Sequence, residues 1–135
     1  MTAAQRQVVF INAAHTFTHY CLLILATAVL AMVTQERDRF GSDYGPILAL
    51  GTAMFVTYGL GALPMGWLAD RLGRRVLMTA FFQGTGFFMA AAGFMDDPVV
   101  IGVTLGLMGC FAAIYHPIGT AVLVEAAGER VGRAM

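Results

Sequence analysis

The sequence contains no lysine, and only 16 of its 135 residues are charged, 8 arginines and 8 acids. A soluble domain of this length carries about twice that charged fraction, because charged side chains help to cover its surface in water. The scarcity of charge therefore excludes a water-soluble fold. The formal net charge is zero, so no basic excess is available for nucleic acid. We expect the lipid bilayer, and not nucleic acid, to be the main partner.

Cysteine is also scarce. Cys21 and Cys110 are far apart in the chain, and each lies within an apolar run. This spacing is typical of neither a zinc site nor a disulfide framework, so we expect two buried thiols. The sequence also lacks a Ser-His-Asp arrangement and a glycine-rich phosphate loop. We therefore predict that the protein is not an enzyme and needs no cofactor.

Apolar residues are abundant, at 59% of the chain with a mean hydropathy of +0.74. They form four uncharged stretches, at 8–34, 44–69, 76–95 and 98–124. About 20 helical residues cross a bilayer core of about 30 Å, and each stretch is long enough. Because backbone groups in lipid must be paired internally, we predict an all-α integral membrane protein with four transmembrane helices in a single domain, 1–135.

The distribution of arginine predicts the orientation. Successive loops between the predicted helices lie on alternate sides of the membrane. Six arginines fall on one side: Arg6, Arg71, Arg74, Arg75, Arg130 and Arg133. Only Arg37 and Arg39 fall on the other side. The positive-inside rule then places both termini and the loop 70–75 in the cytoplasm, in a multi-pass protein of the inner membrane. The short turn before the fourth helix lacks positive charge, and we expect Asp97 to cap that helix with Pro98 at its first position.

Glycine and proline indicate how the helices pack. Glycine occupies 16 positions, which favours close helix contacts in lipid. Pro64 and Pro117 lie inside apolar stretches, where each removes a backbone hydrogen bond and favours a hinge. After Glu125 the sequence has no terminating cap, so we interpret the end as an interrupted loop. Four helices of this kind predict either a fragment or an obligate oligomer.

The predicted loop between helices two and three carries the sequence Gly66-Trp67-Leu68-Ala69-Asp70-Arg71-Leu72-Gly73-Arg74-Arg75. Asp70 can cap a nearby helix N-terminus, whose free amides and positive dipole end favour a carboxylate. Gly73 permits the chain reversal that so short a link needs. An arginine fork can hold a carboxylate through two hydrogen bonds.

This loop resembles the signature loop of the major facilitator superfamily, whose members have twelve helices in two halves of six. The resemblance implies that the chain is the first four helices of the N-terminal half, and that it pairs with a missing C-terminal half or another copy. It also implies a cytoplasmic latch, in which Asp70 meets a helix end of the other half and Arg74 pairs with Glu125. The matching latch motif includes Gly66, Asp70, Arg71, Gly73, Arg74 and Arg75.

A polar stripe runs along the first helix. Asn12, His15, Thr16 and His19 recur at spacings of three and four, and such a stripe must face something other than lipid. At about 1.5 Å per residue, His15 and His19 lie about 10 and 16 Å deep, and His116 about 12 Å. The sequence therefore predicts three imidazoles at similar depth. His15-x-x-x-His19 is a two-ligand fragment at most, so we predict no metal site.

Two further stretches, His15-Thr16-Phe17-Thr18-His19-Tyr20 and Tyr115-His116-Pro117-Ile118-Gly119, resemble the fosmidomycin-resistance exporters within that superfamily. In the superfamily, helices one and four line the central cavity. The resemblance thus implies a role as substrate contacts or proton carriers for Asn12, His15, Thr16, His19 and His116. The alternative is that each histidine simply hydrogen-bonds a neighbouring helix. Tyr20, Tyr58 and Tyr115 are weaker candidates, and Gln83 is expected to serve packing.

We interpret the chain as part of a secondary transporter that exports a small molecule of unknown identity by alternating access. One alternative is a complete four-helix exporter that works as a dimer, although helix one lacks the glutamate that those proteins carry. Another is a membrane haem protein with His116 and either His15 or His19 as axial ligands.

Overall fold

The computed structural model describes residues 1–128 and residue 132. Within that part of the chain it contains seven helices and no strand, so the all-α prediction is confirmed. The helices are α1 (Ala3–Gln35), α2 (Arg37–Phe40), α3 (Tyr44–Ala49), α4 (Thr52–Leu72), α5 (Arg74–Ala92), α6 (Pro98–Ala112) and α7 (Tyr115–Ala127). The predictions for Arg130 and Arg133, and for the loop beyond residue 128, lie outside the described residues.

Three helical segments are long and apolar enough to cross a membrane: Ala3–Gln35, Tyr44–Leu72 and Pro98–Ala127. They contain the first, second and fourth uncharged stretches. The third stretch corresponds largely to α5, which has 19 residues and is not among these segments. Its helix begins with Arg74 and Arg75 and includes Gln83, and these polar residues make it less apolar than the other three. The fourth crossing stays a prediction.

The fourth stretch is divided into α6 and α7 by a turn at Ala113 and Ile114. Proline has no amide hydrogen, so Pro117 leaves the carbonyl of Ala113 without its helical donor. The turn therefore lies where this hydrogen bond would be lost. By contrast, α4 is helical on both sides of Pro64.

The second stretch is divided into α3 and α4 at Leu50 and Gly51. A Cβ atom at Gly51 would lie 2.8 Å from the side chain of Leu25 in α1. The absence of a Cβ at Gly51 leaves room for the Leu25 side chain of α1 beside this turn.

The main packing of the fold places α6 against α4 and α5, and α7 against α1. Glycines form the close contacts: a Cβ at Gly109 of α6 would lie 2.3 Å from the carbonyl oxygen of Met54 in α4. Cys21 is buried as expected, but Cys110 is only partly buried, which corrects the prediction for that thiol. Successive helical residues differ by about 100° in direction, so Cys110 turns away from the face on which Gly109 packs.

The α6 start matches the prediction. The carboxylate of Asp97 accepts hydrogen bonds from the amides of Val99 and Val100, at 2.8 and 3.0 Å, and Pro98 is the first helical residue. At the same end of the molecule, Arg39 forms an ion pair with Asp96 and donates to the carbonyl of Met95. These contacts connect α2 to the turn that follows α5.

Candidate functional site

The three histidines of the chain lie together, between α1 and the beginning of α7. The Nε2 atoms of His15 and His19 are 2.9 Å apart, within hydrogen-bond distance. The ring of His116 lies 5.8 Å from the ring of His15 and 6.1 Å from that of His19, between centroids. One side-chain nitrogen from each histidine can be chosen so that all three lie within 4.8 Å of one another. We call these three residues the histidine cluster.

Local structure explains this convergence. His15 and His19 are four residues apart in α1, so they lie one above the other on the same side of the helix. His116 is the second residue of α7, immediately after the turn that Pro117 accompanies. The packing of α7 on α1 then brings its imidazole to the other two.

Tyr115 fixes the ring of His15. The two rings are stacked, with centroids 5.5 Å apart and planes at 18°. The buried Tyr115 hydroxyl donates a hydrogen bond of 3.0 Å to the carbonyl of Ile11, one turn before His15. The same tyrosine thus anchors α7 to α1 and orients one imidazole. The sequence identified Tyr115 only as a weaker candidate, and the Tyr-His pair before Pro117 was the available signal.

Tyr58 of α4 brings a third element to the cluster. Its ring lies 5.6 Å from that of His116, and its hydroxyl is buried with no hydrogen-bond partner among the described residues. His15 and His19 are exposed and His116 is half-buried. The cluster therefore combines accessible imidazoles with an unsatisfied phenol, and no acid or arginine lies in the uncharged stretches that carry them.

The rest of the polar stripe follows α1. Thr16 is exposed and donates its hydroxyl to the carbonyl of Asn12, at 3.1 Å. Asn12 is exposed as well and lies one turn before the histidines. Both residues therefore share the accessible side of α1 with His15 and His19, whereas Ala14 and Thr18 lie on its buried side.

A second set of predicted residues lies at the other end of α7. The Arg74 guanidinium donates a hydrogen bond of 2.6 Å to Glu125, which lies just beyond the uncharged stretch. This hydrogen bond and the Arg74 charge hold the pKa of Glu125 below its ordinary value. The pair also raises the pKa of Arg74, with a further contribution from the charge of Asp70. The contact joins the start of α5 to the end of α7.

The remaining residues of the loop have separate positions. Asp70 is exposed in the last turn of α4, Arg71 lies 4.0 Å over the Trp67 ring, and Gly73 adopts a φ of +83° between α4 and α5. A Cβ at Gly66 would touch Pro117 at 3.9 Å, so the beginning of the motif approaches α7. Arg75 is exposed at the start of α5.

Comparison with known proteins identifies a family. The model of the Major Facilitator Superfamily matches residues 9–135, nearly the whole chain. No curated protein and no solved structure gives a significant match.

Proposed function

The chain belongs to the Major Facilitator Superfamily, a family of membrane transporters, and on that premise we propose that it forms one wall of the solute pathway of an exporter. The solute would cross by alternating access, in which two helix bundles rock about a site near the middle of the bilayer. The observation that carries the proposal is the histidine cluster. Its three imidazoles come from α1 and α7, two elements of a multi-pass membrane protein.

The energetic cost of placing polar side chains in lipid supports a pathway beside the histidine cluster. Polar side chains in contact with hydrocarbon are unfavourable, and in membrane proteins they face a cavity or another helix. His15, His19 and Thr16 are exposed on one side of α1. We infer that this side lines water or a further group of helices, supplied by a C-terminal half or by another copy of the chain.

The ion pair between Arg74 and Glu125 supports a cytoplasmic latch. It joins the start of α5 to the end of α7, beside the loop 70–75. The carboxylate of Asp70 is exposed, and we propose that it meets the N-terminus of a helix in the C-terminal half. We propose that these contacts close the cytoplasmic side when the pathway opens outward. Pro64 and Pro117 would then serve as the hinges.

Export rather than uptake is proposed because of the likeness of 15–20 and 115–119 to fosmidomycin-resistance exporters. The location that follows is the inner membrane, with cytoplasmic termini and four crossings, α5 forming the third. The haem alternative makes a separate prediction. A haem held by His116 and either His15 or His19 would give the purified chain a Soret absorption band.

The pathway can be tested with introduced thiols that react only in water. In a background in which Cys21 and Cys110 are replaced by alanine, Thr16→Cys places a thiol on the polar side of α1. Leu63→Cys places a matched thiol about 10 Å inside the uncharged stretch of α4, where the exposed side chain is 83% accessible but apolar. We expect a charged methanethiosulfonate to modify the first thiol in membranes and to leave the second unmodified.

Equal protection of both thiols would contradict the pathway, because it would place the polar side of α1 in lipid or in a dry interface. Equal reaction of both would show a chain that is not inserted. A thiol from Ser42→Cys, in the turn between α2 and α3, reports that the reagent is active.

A further inference from the structure

The histidine cluster has a property that solute contact or proton transfer does not require. All three histidines of the sequence meet at one point, although His116 is about a hundred residues from the other two. Imidazole nitrogen is the commonest protein ligand for borderline divalent metals such as Zn²⁺, and three histidines form a known zinc-binding set. We propose that His15, His19 and His116 bind a divalent transition metal ion of this class within the proposed solute pathway.

The distances allow this with small movements of side chains. A tetrahedral Zn²⁺ with bonds of about 2.0–2.1 Å holds its ligand nitrogens about 3.4 Å apart. The three nitrogens already lie within 4.8 Å of one another, and His15 and His19 are 2.9 Å apart. Rotation of the exposed imidazoles of His15 and His19 toward the half-buried His116 would shorten the longest separation by at most about 1.4 Å and close the site.

Binding of the ion must displace the hydrogen that lies between the Nε2 atoms of His15 and His19. Two Nε2 atoms at 2.9 Å share one hydrogen, so one of these imidazoles donates and the other accepts. On binding the ion, both Nε2 atoms present lone pairs to it. The donor imidazole becomes the tautomer with its hydrogen on Nδ1, and both rings stay neutral.

Three histidines do not complete the tetrahedral coordination of Zn²⁺. Three protein ligands leave a fourth tetrahedral position for water or for an anionic solute, as in open zinc sites. The ring of Tyr58 lies 5.6 Å from that of His116, and its buried hydroxyl has no hydrogen-bond partner among the described residues. Tyr115 plays a positioning role: it stacks on His15 and is tied to Ile11 through its hydroxyl.

Other parts of the molecule offer less. A groove lined mainly by apolar side chains, including Phe17, Ile24 and Met89, offers nothing that selects an occupant. The acids near the cluster in sequence lie at the ends of the helices, so they do not compete as ligands within the uncharged stretches. The histidine cluster is therefore the strongest candidate for a ligand of defined chemistry.

The test uses the full chain, purified in detergent without a histidine tag, with Co²⁺ as the probe. We expect one Co²⁺ per chain, with the intense visible absorption of a tetrahedral ion, displaced by Zn²⁺. His15→Gln, His19→Gln and His116→Gln should each weaken binding by more than about 100-fold, since even the loss of an outer-shell partner costs about 10–100-fold. Tyr115→Phe should weaken it by about 10-fold and alter the spectrum while the helix content stays unchanged.

The matched control is the double variant Cys21→Ser and Cys110→Ser, which removes the other soft ligands of the chain. It should bind Co²⁺ as the parent does. Binding that survives the three histidine variants, or that disappears with the cysteines, would overturn the proposal. So would binding of inorganic phosphate at the cluster with no binding of Co²⁺, which would identify an anion site instead.

The role of the ion in transport rests on the proposed function, but its binding does not. If the thiol of Thr16→Cys reacts and Co²⁺ does not bind, the pathway stands and the metal site is wrong. If Co²⁺ binds and that thiol is protected, the metal site stands in a protein without the proposed pathway.

Discussion

At the scale of single residues, glycine determines how closely the helices of this protein approach. Packing in lipid relies on van der Waals contact because lipid offers little hydrophobic drive for association. Gly84 of α5 shows this most clearly, since a Cβ there would lie 2.1 Å from the ring of Phe111 in α6. Gly86, two residues further along the same helix, has open space at that position. Gly84 and Gly86 lie in the same helix, but only Gly84 is closely packed, so the two form a matched pair for substitution.

We expect Gly84→Ala to destabilise the protein by about 1–3 kcal/mol, because the Phe111 ring must leave its place in a packed contact. Gly86→Ala should be neutral or slightly stabilising, since alanine favours helix and meets no neighbour. Unfolding of the purified chain in detergent, followed by circular dichroism, measures both. Equal effects of the two substitutions would argue against close contact between α5 and α6 at Gly84.

At the scale of elements, the ion pair of Arg74 and Glu125 connects α5 to α7 across the end of the bundle. Both side chains are exposed, so the pair adds little to the free energy of unfolding. Its structural effect is to connect the start of α5 to the end of α7. Because the Arg74 hydrogen bond and charge lower the pKa of Glu125, the carboxylate stays charged to a lower pH than an ordinary glutamate does. The pair is lost only as the pH falls through that lowered pKa.

If the pair is a latch, Arg74→Glu or Glu125→Arg alone should speed modification of the Thr16→Cys thiol from the cytoplasmic side of inverted vesicles. The combined charge reversal should return the rate toward that of the parent, since it restores an attractive pair. Arg6→Glu is the control, because it makes the same change of charge at the same predicted end of the bundle but outside the latch motif. An identical increase in all the variants would show a general effect of charge and not a latch.

At the scale of the whole molecule, the exposed surface carries large apolar side chains such as Leu60, Leu63 and Phe94, in a fold with few charges. A soluble protein rarely exposes so many, whereas a multi-pass membrane protein covers them with lipid or with other helices. The charged turns at the two ends of the bundle then bound the hydrocarbon region. Their arginine content predicts which end faces the cytoplasm.

The orientation is tested with one thiol at each end, in the background without native cysteines. We expect an impermeant maleimide added to intact cells to label Ser42→Cys, in the turn after α2. Leu72→Cys, at the arginine-rich loop, should be labelled only after the membrane is opened. Labelling of Leu72→Cys in intact cells would reverse the orientation and remove the cytoplasmic latch with it.

The sequence by itself determined the membrane class and the family, because both depend on properties that are local along the chain. Apolar length separates lipid-crossing helices from soluble ones, and the loop from Gly66 to Arg75 is a contiguous motif. It also placed Asp97 and Pro98 correctly at a helix start, since capping depends on neighbours in sequence. The estimate of helical depth predicted His15, His19 and His116 at one level, but depth alone leaves their distance around the bundle open.

Only the tertiary structure decided what depends on how helices rotate and cross. It joined His116 to the other two histidines, assigned Tyr115 and Tyr58 to the cluster, and divided the second and fourth stretches at their turns. It also showed that Cys110 is only partly buried and that Arg39 forms an ion pair with Asp96. The physical reason is that periodicity fixes which residues share a face of one helix, while the partner of that face is chosen by packing between helices far apart in the chain.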